Sequence, residues 1–285
     1  MKKHLIIIAT LILAVACNRG NIDENEADTI PADSLRVFTT HNVKDEQNYI
    51  IYSDEEFLLA GNVIGLLNSY DIVWPDEGML THNAERELLR RYFLDDEAKD
   101  FESASRYWIL DDSYYLENGC EVMRTNYKDD SLQYSYSRIE SSCEQHDDIA
   151  TINIYREMYN IGAVHGLYSC EYVNIDVTHG TIIHLNDLVD TNLLGPVIVR
   201  AVEDLTTNSD VLKDLLDQNP ERLPVPPDFT IDSTRSTITL VYQVYDIASY
   251  ADGIQEVVLP IFWLSKHIPL TPYAKRIFGP ESYIE

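Results

Sequence analysis

The sequence predicts an α+β fold, an antiparallel β-meander packed with helices in one domain or two small lobes, and three observations carry that prediction. Between Gly119 and Asp187 strand-like runs are cut by turn signals at Lys128-Asp129-Asp130, at Glu144 to Asp148 and at the Gly162 loop. After Asp187 the period becomes helical, with Leu193, Leu194, Val197, Ile198, Ala201, Val202 and Leu205 in one apolar stripe. Strands and helices therefore come in runs, the order expected of α+β, and not in the strict alternation of a parallel α/β sheet.

Taken in order, the chain opens with Lys2 and Lys3, an apolar run from Leu5 to Val15, and Ala14-Val15-Ala16-Cys17. This is the order of a secretory signal, residues 1–16, ending at a lipid-modified cysteine, Cys17. The run is shorter than the ~20 residues of a membrane-spanning helix. Residues 17–34 carry Asp23, Glu24, Glu26 and Asp28 with little to bury, and read as a disordered acidic tether. The rest is expected to divide into an N-terminal α+β lobe, 35–160, and a C-terminal lobe, 161–285. Arg36 to Val43 and Asn48 to Tyr52 read as strands, and Asp54 to Leu67 as an apolar-rich helix with an acidic cap. Asn83 to Phe93 reads as a helix that buries Leu88, Leu89, Tyr92 and Phe93 and turns Arg86, Arg90 and Arg91 to solvent. The Leu193 stripe has capping candidates in Asp190, Thr191 and Asn192, and a short helix follows at Asp210 to Asp217. Pro220, Pro224, Pro226 and Pro227 make a rigid connection to strands at Phe229 to Ile231, Thr237 to Tyr245 and Gln255 to Leu259. One or two short helices, interrupted at Pro269 and Pro272, fill Ile261 to Ile277.

The most specific stretch runs from Tyr159 to Leu188. Val173, Ile175 and Val177 alternate with Tyr172, Asn174 and Asp176, the pattern of a sheet with one buried face, and Thr178-His179-Gly180 supplies a hairpin turn before Ile182. In front lies Gly162-Ala163-Val164-His165-Gly166, a titratable side chain between residues that tolerate unusual backbone angles and close approach. His165 is therefore expected partly exposed on a loop. Gly162, His165, Gly166, Tyr168 and Asp187 are the candidate binding residues.

Gly162-Ala163-Val164-His165, Asn174-Ile175-Asp176, Thr178-His179-Gly180 and Leu185-Asn186-Asp187-Leu188-Val189 together resemble the C-terminal ectodomain of RsiV-type anti-sigma factors. That domain of unknown function also accompanies some peptidoglycan deacetylases. The likeness continues through Pro227-Asp228-Phe229, Tyr250-Ala251-Asp252-Gly253 and Val257-Val258-Leu259-Pro260, and more weakly upstream at Val73-Trp74-Pro75. The resemblance implies recognition of lysozyme, a strongly basic protein, and carries over no catalytic residue.

The net charge of -27 includes Lys2 and Lys3, so removal of the leader leaves a still more acidic chain. Such a chain repels nucleic acid and anionic lipid and attracts basic proteins, although acidity also serves solubility alone. Cys120, Cys143 and Cys170 are odd in number and lack metal-ligand spacing, so free buried thiols are expected. No GxSxG, HExxH or P-loop occurs, and neither a catalytic residue, a metal nor a cofactor is assigned. His165, His179 and His184 would bind metal only if the hairpin converged them, and turn or surface roles explain them better. Asp187 has a simpler role in capping the turn into the Leu193 helix. Many of the 19 tyrosines, among them Tyr114, Tyr115, Tyr127, Tyr134 and Tyr136, suit a half-buried sheet face as well as a binding platform. The expectation is a non-catalytic, lipid-anchored binding protein of the cell envelope, on the periplasmic face of the outer membrane or at the cell surface. Its expected partners are a basic protein of the lysozyme type and, through the anchor, the membrane, with no nucleic acid. The alternatives are a peptidoglycan- or glycan-acting hydrolase using Asp/Glu residues, and a structural envelope lipoprotein.

Overall fold

The computed structural model describes residues 39–41, 49–60, 64–97, 99–109, 122–125, 134–205, 210–218, 223–232, 234 and 236–280. The leader, Cys17, the tether, Cys120, Tyr114, Tyr115, Tyr127 and the Lys128-Asp129-Asp130 turn lie outside them. Two sheets and their helices make the α+β architecture. The larger sheet is built from β1 (Thr39–His41), β2 (Tyr49–Ala60), β3 (Ile64–Pro75), β4 (Val122–Thr125), β5 (Tyr134–His146), β6 (Ile149–Tyr159), β7 (Leu167–Asp176) and β8 (Thr181–Ile183). Its order is β1-β2-β3-β5-β6-β7-β8, with β4 also on β2. Among these pairings only β3 with β5 is parallel, so the meander is interrupted there. The smaller sheet, in the order β11-β10-β9, uses β9 (Asp228–Asp232), β10 (Thr237–Tyr242) and β11 (Gln255–Pro260).

The expected helix from Asp54 to Leu67 is instead the β2–β3 hairpin, paired from Tyr49↔Pro75 to Ala60↔Ile64. A short apolar run such as Phe57-Leu58-Leu59 suits either state, and the partner strand decides. The strand signal is legible in β3, where Leu66, Asn68, Tyr70, Ile72 and Trp74 are all buried at period two. Helix α1 (His82–Phe93) has Thr81 as its N-cap and buries Leu88, Leu89, Tyr92 and Phe93 as predicted. Helix α2 (Phe101–Ile109), which the sequence reading lacked, starts where the Asp100 carboxylate accepts from Ser103 N at 2.7 Å. Its Phe101 ring packs 4.4 Å from Tyr52 and 5.2 Å from Trp74. Both helices cover one face of the large sheet.

A second core gathers the small sheet with α3 (Leu185–Leu188), α4 (Leu194–Asp204), α5 (Asp210–Gln218), α6 (Ile261–Ser265) and α7 (Pro272–Phe278). The division expected at residues 160 and 161 falls in the loop joining β6 to β7, which are paired strands of one sheet. Pro272 does not interrupt a helix. It opens α7, at the position where its missing N–H costs nothing, beside the Thr271 cap. The strand expected to reach Tyr245 ends at Tyr242, and Gln243 to Asp246 form a turn in which Asp246 N donates to Gln243 O at 3.1 Å.

The two cores meet along β7. One buried face was expected there, yet Asn174 and Asp176 are as buried as Val173 and Ile175. The reason is tertiary. Asn174 Nδ2 donates to Phe229 O at 2.8 Å while its Oδ1 accepts from Ile231 N at 3.1 Å, so its amide stands in for a ladder between β7 and β9. The hairpin turn is as read: Gly180 has φ +62°, and a methyl group there would lie 2.4 Å from Met79 O. Only glycine lets the segment before α1 lie that close, with Thr81 N donating to Gly180 O at 2.8 Å.

Candidate functional site

The loop between β6 and β7 is held by its backbone. Ala163 N donates to Asn160 O at 2.9 Å, Ile161 N donates to Ser135 Oγ at 3.1 Å, and Gly162 has φ +86°. Gly166 lies so close to β6 that a methyl group on it would be 2.9 Å from Met158 O. A loop so fastened presents Val164, 96% exposed, at its tip and an exposed His165 beside it.

Distant residues meet His165. Its Nδ1 is 2.7 Å from Gly166 O, which assigns the proton to Nδ1 and leaves Nε2 to accept from the Tyr245 hydroxyl at 3.4 Å. The imidazole stacks on Tyr250 at 3.9 Å and 19°. Tyr250 in turn meets Tyr168 edge-on at 5.5 Å and Tyr245 at 5.8 Å, and Tyr168 stacks on Tyr155 at 6.3 Å. Gly253, at φ +71°, passes over this group, its Cβ direction 3.5 Å from the Tyr168 hydroxyl. Tyr245 is 56% exposed and takes φ +70°, a rare conformation for a bulky side chain that its ring and hydroxyl contacts hold in place. Burial first, then neighbouring carboxylate and phenol groups, raise the Tyr155 and Tyr250 hydroxyls, which therefore stay neutral donors. Glu157, Asp246 and Asp252 sit on the same strands and turns. The result is an aromatic platform beside carboxylates, suited to receive cationic side chains on ring faces.

Beneath the platform Gln243 completes the edge of β7. Its Oε1 accepts from Cys170 N at 2.8 Å, and its Nε2 donates to Cys170 O at 2.6 Å and to Asp228 Oδ2 at 3.3 Å. Asp228 belongs to a charged cluster. Arg91 Nη1 lies 3.4 Å from its Oδ1 and 3.5 Å from Glu171 Oε2, and Arg156 Nη1 holds Glu171 Oε1 at 2.5 Å. Burial, then the Glu171 charge, push Asp228 up to about 6 against the lowering effect of Arg91. Arg91, expected on the solvated side of α1, is thus drawn into this joint.

Of the candidate residues, Gly162, His165, Gly166 and Tyr168 come together. Asp187 belongs to another corner, where its carboxylate accepts from His184 N at 2.8 Å and caps α3, not the helix after it. It lines a cavity of about 400 Å³ with Thr181, Ile182, His184 and Tyr273. The three histidines have separate neighbours: His179 Nδ1 is 3.0 Å from Asp176, and His184 Nε2 is 3.5 Å from Glu87. Cys143 and Cys170 are free thiols, each half-buried. Tyr245, Tyr250 and Gln243 join the site without being among the residues that the sequence predicts for it. Tyr250-Ala251-Asp252-Gly253 stood out as a motif, but no local signal places it opposite His165.

Residues 190–261 match the family described as "Protein of unknown function (DUF3298)". That stretch carries Asp228, Gln243, Tyr245 and Tyr250, whereas His165 and Tyr168 lie before it. The crystal structure of a DUF3298 family member from Bacteroides fragilis has a similar fold, with TM-score 0.51 and 16% identity over 81% of this chain and 97% of that one. A DUF3298 protein from Pseudomonas aeruginosa aligns with TM-score 0.48 and 19% identity over 79% of this chain and 96% of its own. None of the curated proteins matches.

Proposed function

We infer that the chain is a non-catalytic, lipid-anchored binding protein of the cell envelope, similar to the RsiV-type ectodomain, and that the His165 platform receives a basic protein. The observation that carries this reading is the stacking of exposed His165 on Tyr250 within a group of four tyrosines, with the Glu157 charge felt at Tyr155 and Tyr250. Arginine and lysine side chains of a partner would lie over the rings while Asp246 and Asp252 add negative charge nearby, Glu157 being already paired with Arg138. Val164 adds an apolar contact at the most exposed point. The net charge of -27 speeds encounter with a cationic protein without choosing among such proteins, so selectivity rests on the platform.

Binding of the soluble domain to lysozyme, beside an unrelated basic protein of similar size, tests this at low and at physiological salt. Diffuse attraction fades as the Debye length shrinks from ~30 Å at 0.01 M toward ~8 Å at 0.15 M, while a packed interface persists. Lysozyme binding is expected to survive physiological salt and to weaken about tenfold or more when Tyr245 and Tyr250 are both changed to alanine. Equal affinity for the control protein, or full loss at physiological salt, overturns the reading. Cys17→Ala should move the protein into soluble fractions, and continued membrane association would remove the lipid anchor from the proposal.

A further inference from the structure

The platform is joined to a buried carboxylate by a short chain of contacts. Asp228, its side chain 6% exposed, accepts from the Gln243 amide, and the same amide grips both backbone groups of Cys170. The Gln243 main chain is locked in turn: its N–H donates to Asp246 Oδ2 at 2.8 Å and its carbonyl accepts from Asp246 N at 3.1 Å. Tyr245 lies inside that turn, at positive φ, with its hydroxyl on His165. The position of Gln243 therefore sets the position of Tyr245.

We propose that Gln243 is the positioning residue of the platform and that proton uptake by buried Asp228 releases it, so that the platform is ordered near neutral pH and loosened in mild acid. The proposal deepens the reading of the platform as a binding surface and rests on it. Ionised Asp228 accepts from Gln243 and shares the Arg91 guanidinium with Glu171. A proton on its carboxyl removes one of the two anions facing Arg91 and weakens acceptance from Nε2, an atom that only donates. The amide, having lost its second anchor, then holds Cys170 less firmly.

The charged groups facing Asp228 are Glu171 from β7, Arg91 from α1 and Asp246 from the turn after β10. Arg156 from β6 is engaged by Glu171, and Glu256 from β11 acts on neighbouring Cys170 and Tyr172. Burial and Glu171 together outweigh Arg91, which brings proton uptake to about 6, within the mildly acidic range.

Amide hydrogen exchange of the soluble domain tests this without any partner. The Cys170 amide, bonded to Gln243 Oε1, reports the grip directly, and Ile152 in the core of the large sheet is the internal reference. After correction for intrinsic exchange, protection of Cys170 relative to Ile152 is expected to fall about tenfold between pH 7.5 and pH 5. Asp228→Asn should abolish that pH dependence. Glu171→Gln should shift its midpoint downward by removing the charge that raises Asp228. His165→Gln, which removes the exposed imidazole of the platform, should leave it in place. Parallel behaviour of Cys170 and Ile152 across the range overturns the proposal, as does a transition that persists in Asp228→Asn or follows His165. Because no partner takes part, failure of the lysozyme experiment and failure of this one are separate results.

Discussion

Asp176 and Asp228 are both buried aspartates at the seam between the two cores, with side chains 1% and 6% exposed, and both face an arginine, yet their chemistry is opposite. Burial raises Asp176 too. Donors from His179, Arg276 and Tyr273 more than offset it, with Arg276 at 2.7 Å and Tyr273 at 2.8 Å, and lower it to about 2. Asp228 has half of a shared guanidinium and one long amide contact, beside a second carboxylate, and rises to about 6. Burial by itself does not fix the state of a carboxylate; the number of donors aimed at it does. One joint locks α7 onto β7. The other, beneath the platform, is adjustable.

The largest effect expected from breaking this contrast is at the locked joint. Asp176→Ala removes the acceptor shared by Tyr273 and Arg276 and, since the Arg276 left behind is 45% exposed, should cost about 2–4 kcal/mol in urea unfolding at pH 7. A cost near that of an exposed ion pair would erase the distinction. The pH profile sharpens it. Because the folded-state value of Asp176 is depressed from 3.8, its stabilisation is present above about pH 4 and is lost as pH falls toward 2.

Asp228 runs the other way. Its folded-state value is raised from 3.8, so its contribution is fullest below about pH 4 and declines as pH rises through about 6. Asp228→Asn should flatten the stability profile in that window by about 1–3 kcal/mol, read from urea midpoints at pH 4, 5, 6 and 7. An unchanged slope would show that another group titrates there. The smallest effect is expected at Arg138, 43% exposed, whose Nη2 lies 2.9 Å from Glu157 Oε2. Arg138→Ala should change stability by less than about 1 kcal/mol, and the pair should weaken further with added salt.

Local periodicity and turn chemistry suffice for the α+β class, α1 with its buried face, the Thr178-His179-Gly180 hairpin, the helical stripe from Leu194 to Val202, and a glycine-bounded loop carrying His165, although Leu193, read into the stripe, is 52% exposed in a turn before the helix. These follow from side-chain spacing and backbone freedom within a few residues. Spacing did not decide whether Asp54 to Leu67 was helix or strand, since a short apolar run satisfies both until a partner strand is present. Nor did it determine that Asn174 and Asp176 would be buried: polar residues alternating with apolar ones imply an open face unless another element covers it, and β9 and α7 do. The site followed the same division. Its loop was legible at Gly162 and His165, while Tyr245 and Tyr250 reach His165 from 80 or more residues away only because Gln243 and Asp228 bind the small sheet's turn to the edge of β7. Contacts so distant in sequence leave no periodic trace, and the packing of the two sheets alone brings them together.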